Sequence, residues 1–350
     1  MQRTSFQTLT GLGQPIVQGP FGGGLSTVAL TSLVSNRGGL GSFGAHLLQG
    51  EEIAALTQRI RSRTSKPFAI NLWVSDHDPG GRPISPAEFD RFWSVVEPFY
   101  REYGIERPEQ PEVFHPRFDQ QIEALLEARP PVFSFVFGIP PAAVLAECRR
   151  REILTIGAAT TLAEGKALDE AGVDVVLATG FEAGGHRPSF LERAEDSLMG
   201  TLALSRLIAS HIHRPVLAAG GIVDGGGVRA ALALGAGAAQ LGTAFLACKE
   251  SGTVDVHREV LFSERARKTV LTRAYTGRLA RGIPNRLIVE MEKHRVPPFP
   301  VQSWFMSELK AAAMATGNED FLSLYAGQGA PLLKHRSASD LMADLADQLQ

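Results

Sequence analysis

Short apolar runs recur along this chain and end at Gly, Asn, Thr or Ser, with helical patterns between them. Eight stand out: PIVQGPF (15–21), GLGSFG (39–44), FAINLWV (68–74), VFSFVFG (132–138), EILTIGA (152–158), VDVVLATG (173–180), PVLAAGG (215–221) and AAQLGTAF (238–245). Their apolar residues are continuous rather than alternating, as in strands covered on both faces. Between them lie stretches such as GEEIAALTQRIRSRT, TLAEGKALDEAG and GGGVRAALALGAG, with apolar residues at i, i+3 and i+4. That spacing predicts helices with one buried stripe. Strand–helix alternation repeated eight times predicts an α/β fold, a closed (β/α)8 barrel. After Phe245 the alternation lapses. HREVLFSERARKTVL, SWFMSELKAAAMATG and SASDLMADLADQL read as helices joined by loops.

The interval between the third and fourth runs is too long for one crossover. It holds two predicted helices, around 86–103 and 117–128, joined by a Pro-rich link. The chain therefore divides into a barrel over 1–74 and 131–260, a helical insertion over 75–130 and a C-terminal helical segment over 261–350. An insertion after the third strand sits at the C-terminal rim, where barrels of this kind carry their active sites. Its first helix reads as a lid or cap over the pocket, with an excursion packed on the outside as the alternative.

Composition narrows the class. The chain has 350 residues, 44% hydrophobic, 21% charged and with a net charge of −2. That balance gives no reason to expect nucleic-acid or anionic-membrane binding. Two cysteines, Cys148 and Cys248, cannot build a disulfide framework, and neither has a partner at metal-ligand spacing. They fit a reducing cytoplasm. The N-terminal MQRTSFQTLTGLGQPIVQ lacks a signal-peptide core, and no run reaches the length of a membrane span. A cytoplasmic protein is expected.

Chemistry in such a barrel gathers at the strand ends. The first ends in 18-QGPFGGGLST-27, the third near Asn71 and the sixth in 179-TGFEAGGHRPSF-190. The seventh ends in 218-AAGGIVDGGG-227 and the eighth in 240-QLGTAF-245. Gly220, Gly221 and Gly242 stand where strand gives way to helix, and Thr243 adds a hydroxyl. Loops after strands seven and eight commonly hold a phosphate through backbone N–H groups, so a phosphorylated ligand is expected. Gly184 and Gly185 precede His186. Glycines let a backbone approach a ligand or adopt φ > 0, and a histidine beside that ligand can do acid–base or anion-binding work; an ordinary turn is the bland alternative. Asp76, His77 and Asp78 are too local in sequence for a rigid metal site, so no metal is expected. Asp224 reads as a helix cap. No G-x-S-x-G elbow and no P-loop occur.

QGPFGGGLST, SNRGGLGSFG, PFAINLWV, FSFVFGIP, GFEAGGHR, PVLAAGGIVDGGGVRAALALGA, AQLGTAFLACKES, TGRLARGIPNR and YAGQGA follow one another in this order. Together they resemble the nitronate monooxygenase family, formerly called 2-nitropropane dioxygenases. The resemblance runs from Pro15 to about Gly329 and includes the insertion. It implies a barrel with non-covalent FMN. The flavin would contact the backbone at Pro20, Phe21 and Gly22, with Asn71 near the ring. Thr179, Gly184, Gly185, Gly220 and Gly221 would line the cofactor, and Gln240, Leu241, Gly242 and Thr243 would hold its phosphate end. His186 matches the family's catalytic histidine. Three departures stand out. Thr179 replaces a customary Gln, Phe21 a customary Met, and Ser303 and Ser307 fall where nitronate oxidisers carry Tyr and Lys.

The resemblance implies FMN-dependent oxidation of alkyl nitronates, small-molecule partners with O2, to a carbonyl compound and nitrite. His186 would position the nitronate, or act as base toward a neutral nitroalkane. Phe21, Trp73 and Phe137 would form an apolar wall, or else pack the barrel. Glu182 is expected to orient His186. The arginines of TGRLARGIPNR (276–286) either reach a ligand anion or close the barrel in a structural turn, and the structural reading is preferred. An NAD(P)H-dependent flavin oxidoreductase acting on quinones or enoyl thioesters is the alternative activity. A flavin- or phosphate-binding barrel without turnover is a third. A homodimer is compatible with all of them.

Overall fold

The structure, a computed structural model, describes residues 3–74, 78–82 and 84–350. The first half runs α1 (Ser5–Thr10), β1 (Ile16–Gln18), α2 (Val28–Asn36), β2 (Gly41–Gly44), α3 (Gly50–Arg61), β3 (Phe68–Trp73), α4 (Pro86–Glu102), α5 (Phe118–Ala128), β4 (Val132–Val136), α6 (Ala142–Arg150) and β5 (Leu154–Ala159). It continues through α7 (Leu162–Glu170), β6 (Val175–Thr179), β7 (Gly185–His186), α8 (Thr201–Ala209), β8 (Val216–Ala219), α9 (Gly225–Ala233), β9 (Ala238–Leu241) and α10 (Thr243–Leu246). The C-terminal part adds α11 (Asp255–Leu261), β10 (Val270–Thr272), β11 (Ala280–Gly282), α12 (Arg286–Met291), α13 (Val301–Thr316) and α14 (Ala338–Gln348).

Eight parallel strands pair in the order β1-β9-β8-β6-β5-β4-β3-β2. A parallel bridge between Val17 and Leu40 brings the two ends together. There the Leu40 N–H donates to the Ile16 carbonyl and the Gln18 N–H to the Leu40 carbonyl, each at 2.9 Å. The result is a nearly closed (β/α)8 barrel, as the apolar runs predicted. Its interior is filled by modest side chains, among them Val17, Leu40, Ala69, Ile156, Ala158, Leu177, Leu217 and Ala219. Phe6 joins that cluster from α1, and Thr4 anchors the helix by donating to the Gly237 carbonyl at 2.6 Å. Gly237 immediately precedes β9, so α1 closes the N-terminal end of the barrel. A ligand is left the opposite end.

The predicted runs overshoot at their C-termini. AAQLGTAF stops being a strand at Leu241, and Thr243–Leu246 turns into helix. Asp224 caps α9 as expected, accepting from the Gly227 N–H at 2.9 Å. Cys148 and Cys248 are both buried and free.

The C-terminal part is mostly helix and loop, as expected, and it also contributes β10 and β11 to a three-stranded antiparallel sheet with β7. Its strands are two or three residues long and meet across some 85 residues of chain, so no periodicity marks them. The insertion also splits in role. α5 packs on α3 as an ordinary barrel helix, burying Phe118, Ile122 and Leu125. α4 buries Phe89, Trp93, Val96, Phe99 and Tyr100 against α13 and its surroundings, and Tyr100 donates its hydroxyl to the Phe305 carbonyl at 2.8 Å. The expected lid helix α4 contributes no residue to the lining of the cavity at the strand ends, whereas α13 contributes several.

Candidate active site

A cavity of about 460 Å³ opens at the C-terminal ends of the strands. Ile156, Ala158, Leu177 and Ala219 give it an apolar floor, and Asn71, Ser134, Thr179 and Gln240 stand as polar groups around it. The sequence-predicted residues Pro20, Phe21, Gly22, Asn71, Thr179, Gly184, Gly185, His186, Gly220, Gly221, Gln240, Gly242 and Thr243 all line it. Leu241 does not. Successive strand side chains point to opposite faces, so with Gln240 turned inward Leu241 packs outward among Ile16, Leu30 and Val34. Its carbonyl accepts from the Gly19 N–H at 2.9 Å.

His186 is carried on β7 beside β11, in register with Ala280. Its Nε2 lies 2.8 Å from the Thr276 hydroxyl. Aromatic rings surround it: Trp73 edge-on at 4.8 Å, Tyr325 at 5.6 Å and Phe137 at 6.2 Å between centroids. Desolvation, reinforced by the nearby Arg278 charge, pushes its pKa down to about 3. The imidazole is therefore neutral across the physiological range. Glu182 does not orient it, contrary to expectation. The chain turns between them, and the Glu182 carboxylate instead accepts from the Thr201 N–H at 2.8 Å and the Thr201 hydroxyl at 2.7 Å, at the start of α8. A carboxylate suits that positive helix end.

The two glycines before His186 serve different needs. A Cβ on Gly184 would lie 2.5 Å from the Gly327 nitrogen, so the loop touches the 326–327 backbone only because that side chain is missing. Gly185 has open space but φ +76, a conformation other residues rarely adopt. Arg187 then anchors the loop. Buried, it donates to the carbonyls of Thr179, Ser197 and Thr160.

Several groups escaped the sequence reading. His46, at the end of β2, stacks on Trp73 at 3.7 Å with the rings nearly parallel. It lines the cavity, and its Nδ1 is buried without a partner among the described residues. Burial, then the charges of His115, His186, Arg278 and Lys310, hold its pKa well below 6.5. Gly22 makes room for that ring, since a Cβ there would fall 1.9 Å from His46 Cε1. Ser303 and Ser307 both line the cavity from α13, and one turn on the same helix delivers Lys310 to it. No ion-pair partner for Lys310 occurs among the described residues, and desolvation lowers its pKa. The cation in the lining thus stands at 310, one turn beyond Ser307.

Of the arginines in 276–286, Arg281 and Arg286 are structural. Arg281 donates to the Phe181 carbonyl at 2.8 Å, and Arg286 pairs with Glu102. Arg278 lies behind the cavity wall, its guanidinium 3.4 Å from the Phe137 ring centroid and 5.0 Å from that of Trp73. Asp78 is its ion-pair partner. Phe21, Trp73 and Phe137 line the cavity, and Trp73 and Phe137 also form a small cluster with Phe299. Both readings of that wall therefore apply. Of the acidic cluster, Asp76 and His77 lie outside the described residues and Asp78 is engaged by Arg278. No group of three potential metal ligands occurs among the described residues.

The model of the family described as nitronate monooxygenase matches residues 5–348. The chain belongs to the nitronate monooxygenase family. It is 41% identical to a nitronate monooxygenase of Pseudomonas aeruginosa over 99% of each chain. With a nitronate monooxygenase of Paraburkholderia phytofirmans it shares 39% identity, over 98% of this chain and 94% of the other. Among solved structures, a nitroalkane oxidase from Streptomyces ansochromogenes superposes with a TM-score of 0.90 at 35% identity, covering 98% of this chain and 97% of that one. Like its family, the chain is an oxidoreductase enzyme. No helix among the described residues is long and apolar enough to cross a membrane.

Proposed function

We propose that this enzyme binds FMN in the strand-end cavity and uses it with O2 to convert alkyl nitronates into a carbonyl compound and nitrite. The residues present fit the flavin. Thr179 lines the cavity, and its hydroxyl is buried without a partner among the described residues, an orphan that a ring-edge acceptor or donor would satisfy. Asn71 is fixed by donating its amide to the Ser134 hydroxyl at 3.0 Å. The apolar floor of Ile156, Ala158, Leu177 and Ala219 suits an aromatic ring. Gly220, Gly221, Gly242 and Thr243 would hold the phosphate, with the Thr243 oxygen already fixed by the Gly327 N–H at 2.9 Å.

FMN, when bound, supplies the electron chemistry, and the protein supplies positioning and electrostatics. Charge is the observation that carries the reading. Among the described residues the lining holds no carboxylate: its basic groups are His46, His186 and Lys310, and burial keeps the phenols of Tyr275 and Tyr325 neutral. The Lys310 ammonium lacks an acidic partner among the described residues, and a desolvated cation is costly until an anion joins it. A nitronate is such an anion. His186, neutral and held by Thr276, would donate a hydrogen bond to a nitronate oxygen rather than pair with it as a cation. Its low basicity suits a substrate that arrives already deprotonated and makes it a poor base toward a neutral nitroalkane.

Nitrite release from ethyl nitronate and from nitroethane in air tests this reading. The nitronate is expected to turn over and nitroethane to lag well behind. His186→Asn is expected to lose at least about 10²-fold in rate. Absence of nitrite from the nitronate, or an unchanged rate in the variant, would overturn it.

A further inference from the structure

Thr276 sits in the tight turn between β10 and β11, and that turn is held from several sides. The Gly277 N–H donates to the Arg273 carbonyl at 2.9 Å, and the Arg273 guanidinium returns to the Gly277 carbonyl at 2.7 Å. The buried Gln302 amide donates to the Ala274 carbonyl at 2.7 Å. A Cβ on Gly277, at φ +83, would meet the Pro297 carbonyl at 2.4 Å. On the opposite side, β7 is locked to β11, and the Arg187 N–H donates to the Leu279 carbonyl at 2.8 Å. The 2.8 Å contact between the Thr276 hydroxyl and His186 Nε2 thus joins two fixed backbones.

The proton in that contact can be placed by counting donors. The Thr276 oxygen already accepts from the Arg278 N–H at 3.3 Å. Its own proton has no acceptor among the described residues other than His186 Nε2. Were Nε2 protonated, the hydroxyl proton of a residue only 8% exposed would be left without a protein partner. With the hydroxyl donating, both groups are satisfied, as buried polar groups normally are. The imidazole proton then resides on Nδ1, which has no hydrogen bond within the protein among the described residues.

We propose that Thr276 is a positioning residue that fixes His186 as its Nδ1–H tautomer, so that the ring meets a ligand as a hydrogen-bond donor. A donor matches an anionic oxygen, whereas the opposite tautomer would present a lone pair to it. That the donor serves a nitronate rests on the proposed function; the tautomer itself does not. Thr276 touches no reacting atom in this scheme and acts through the histidine.

The protein as purified, labelled with 15N-histidine, would report the tautomer through two-bond 1H–15N correlations, with the His186 signals identified by their loss in His186→Asn. Wild type is expected to show unprotonated Nε2 and protonated Nδ1. Thr276→Ser, which keeps the hydroxyl, is expected to match it. Thr276→Val, which keeps the shape, is expected to move toward the Nε2–H form that imidazole prefers in water. For ethyl nitronate, kcat/KM is expected to fall roughly 3- to 10-fold in the valine variant, the worth of one neutral hydrogen bond, and to recover in the serine variant. Protonated Nε2 in wild type would overturn the proposal even if the valine variant did not fold. An unchanged tautomer in a folded Thr276→Val would overturn it equally. Neither spectrum depends on turnover, so loss of the nitronate reading alone would leave the tautomer result standing.

Discussion

Asp78 and Arg278 make an ion pair whose side chains are only 12% and 9% exposed. The guanidinium is wedged among three rings, 3.4 Å from the centroid of Phe137, 4.3 Å from Phe299 and 5.0 Å from Trp73, and its Nη1 is buried without a partner among the described residues. Asp78→Asn keeps the shape of the acid but strands the cation. Removing one member of a buried pair costs about 3–5 kcal/mol. Unfolding entropy near 2.1 cal/mol/K per residue gives roughly 0.7 kcal/mol/K for this chain, so that cost becomes a drop of about 4–7 °C in Tm. Replacing both partners, Asp78→Leu with Arg278→Met, removes the stranded charge and is expected to restore most of the loss. Calorimetry at pH 7 on wild type, the single variant and the double variant reads this out. A single variant within about 1 °C of wild type, or a double variant as unstable as the single, would refute the claim that the pair matters through burial of its charge.

The two glycines before His186 separate by cause. Gly184→Ala drives a Cβ to 2.5 Å from the Gly327 nitrogen and is expected to displace the loop and abolish flavin retention. Gly185→Ala meets no atom within 4 Å, costs about 1–2 kcal/mol of left-handed strain and is expected to keep the flavin; absorbance of the purified variants decides. Glu182→Gln weakens the hold on the first turn of α8, costing about 1 kcal/mol, and is expected to leave the pH dependence of nitronate oxidation as in wild type. A shifted profile would restore the discarded Glu182–His186 link. Stability is expected to fall on acidification before the carboxylates titrate. His186 and His257 are pushed down to about 3 and about 4, chiefly by desolvation. The unfolded chain therefore binds protons below 6.5 that the fold refuses. Each contribution is complete above pH 6.5 and lost as pH falls toward the folded value, at about 1.4 kcal/mol per unit. Urea titrations at pH 7, 6 and 5 should show this, with a shallower slope in His257→Gln; a flat response would contradict it.

The barrel was legible because strands covered on both faces leave continuous apolar runs, and because each run here ends in residues too small or polar to continue it. The same ends carried the cavity, so the glycines, Asn71, Thr179 and His186 could be read directly. What surrounds His186 could not. Thr276, Arg278 and Tyr325 lie 90 or more residues away and reach it through strands too short to pattern. Glu182 misled because nearness in sequence was taken for contact, whereas the loop turns that carboxylate to a helix end. His46 was within reach: it follows GLGSFGA at a strand end, the position where the other site residues were sought.

We propose that a flavin lies in this cavity and takes its electrons from an anionic nitro compound. Anaerobic mixing of the purified protein with ethyl nitronate or, separately, with NADH tests it most directly. A yellow protein that is bleached by the nitronate and not by NADH is the predicted result. A colourless protein that takes up no added FMN, or one bleached by NADH and indifferent to the nitronate, would contradict it.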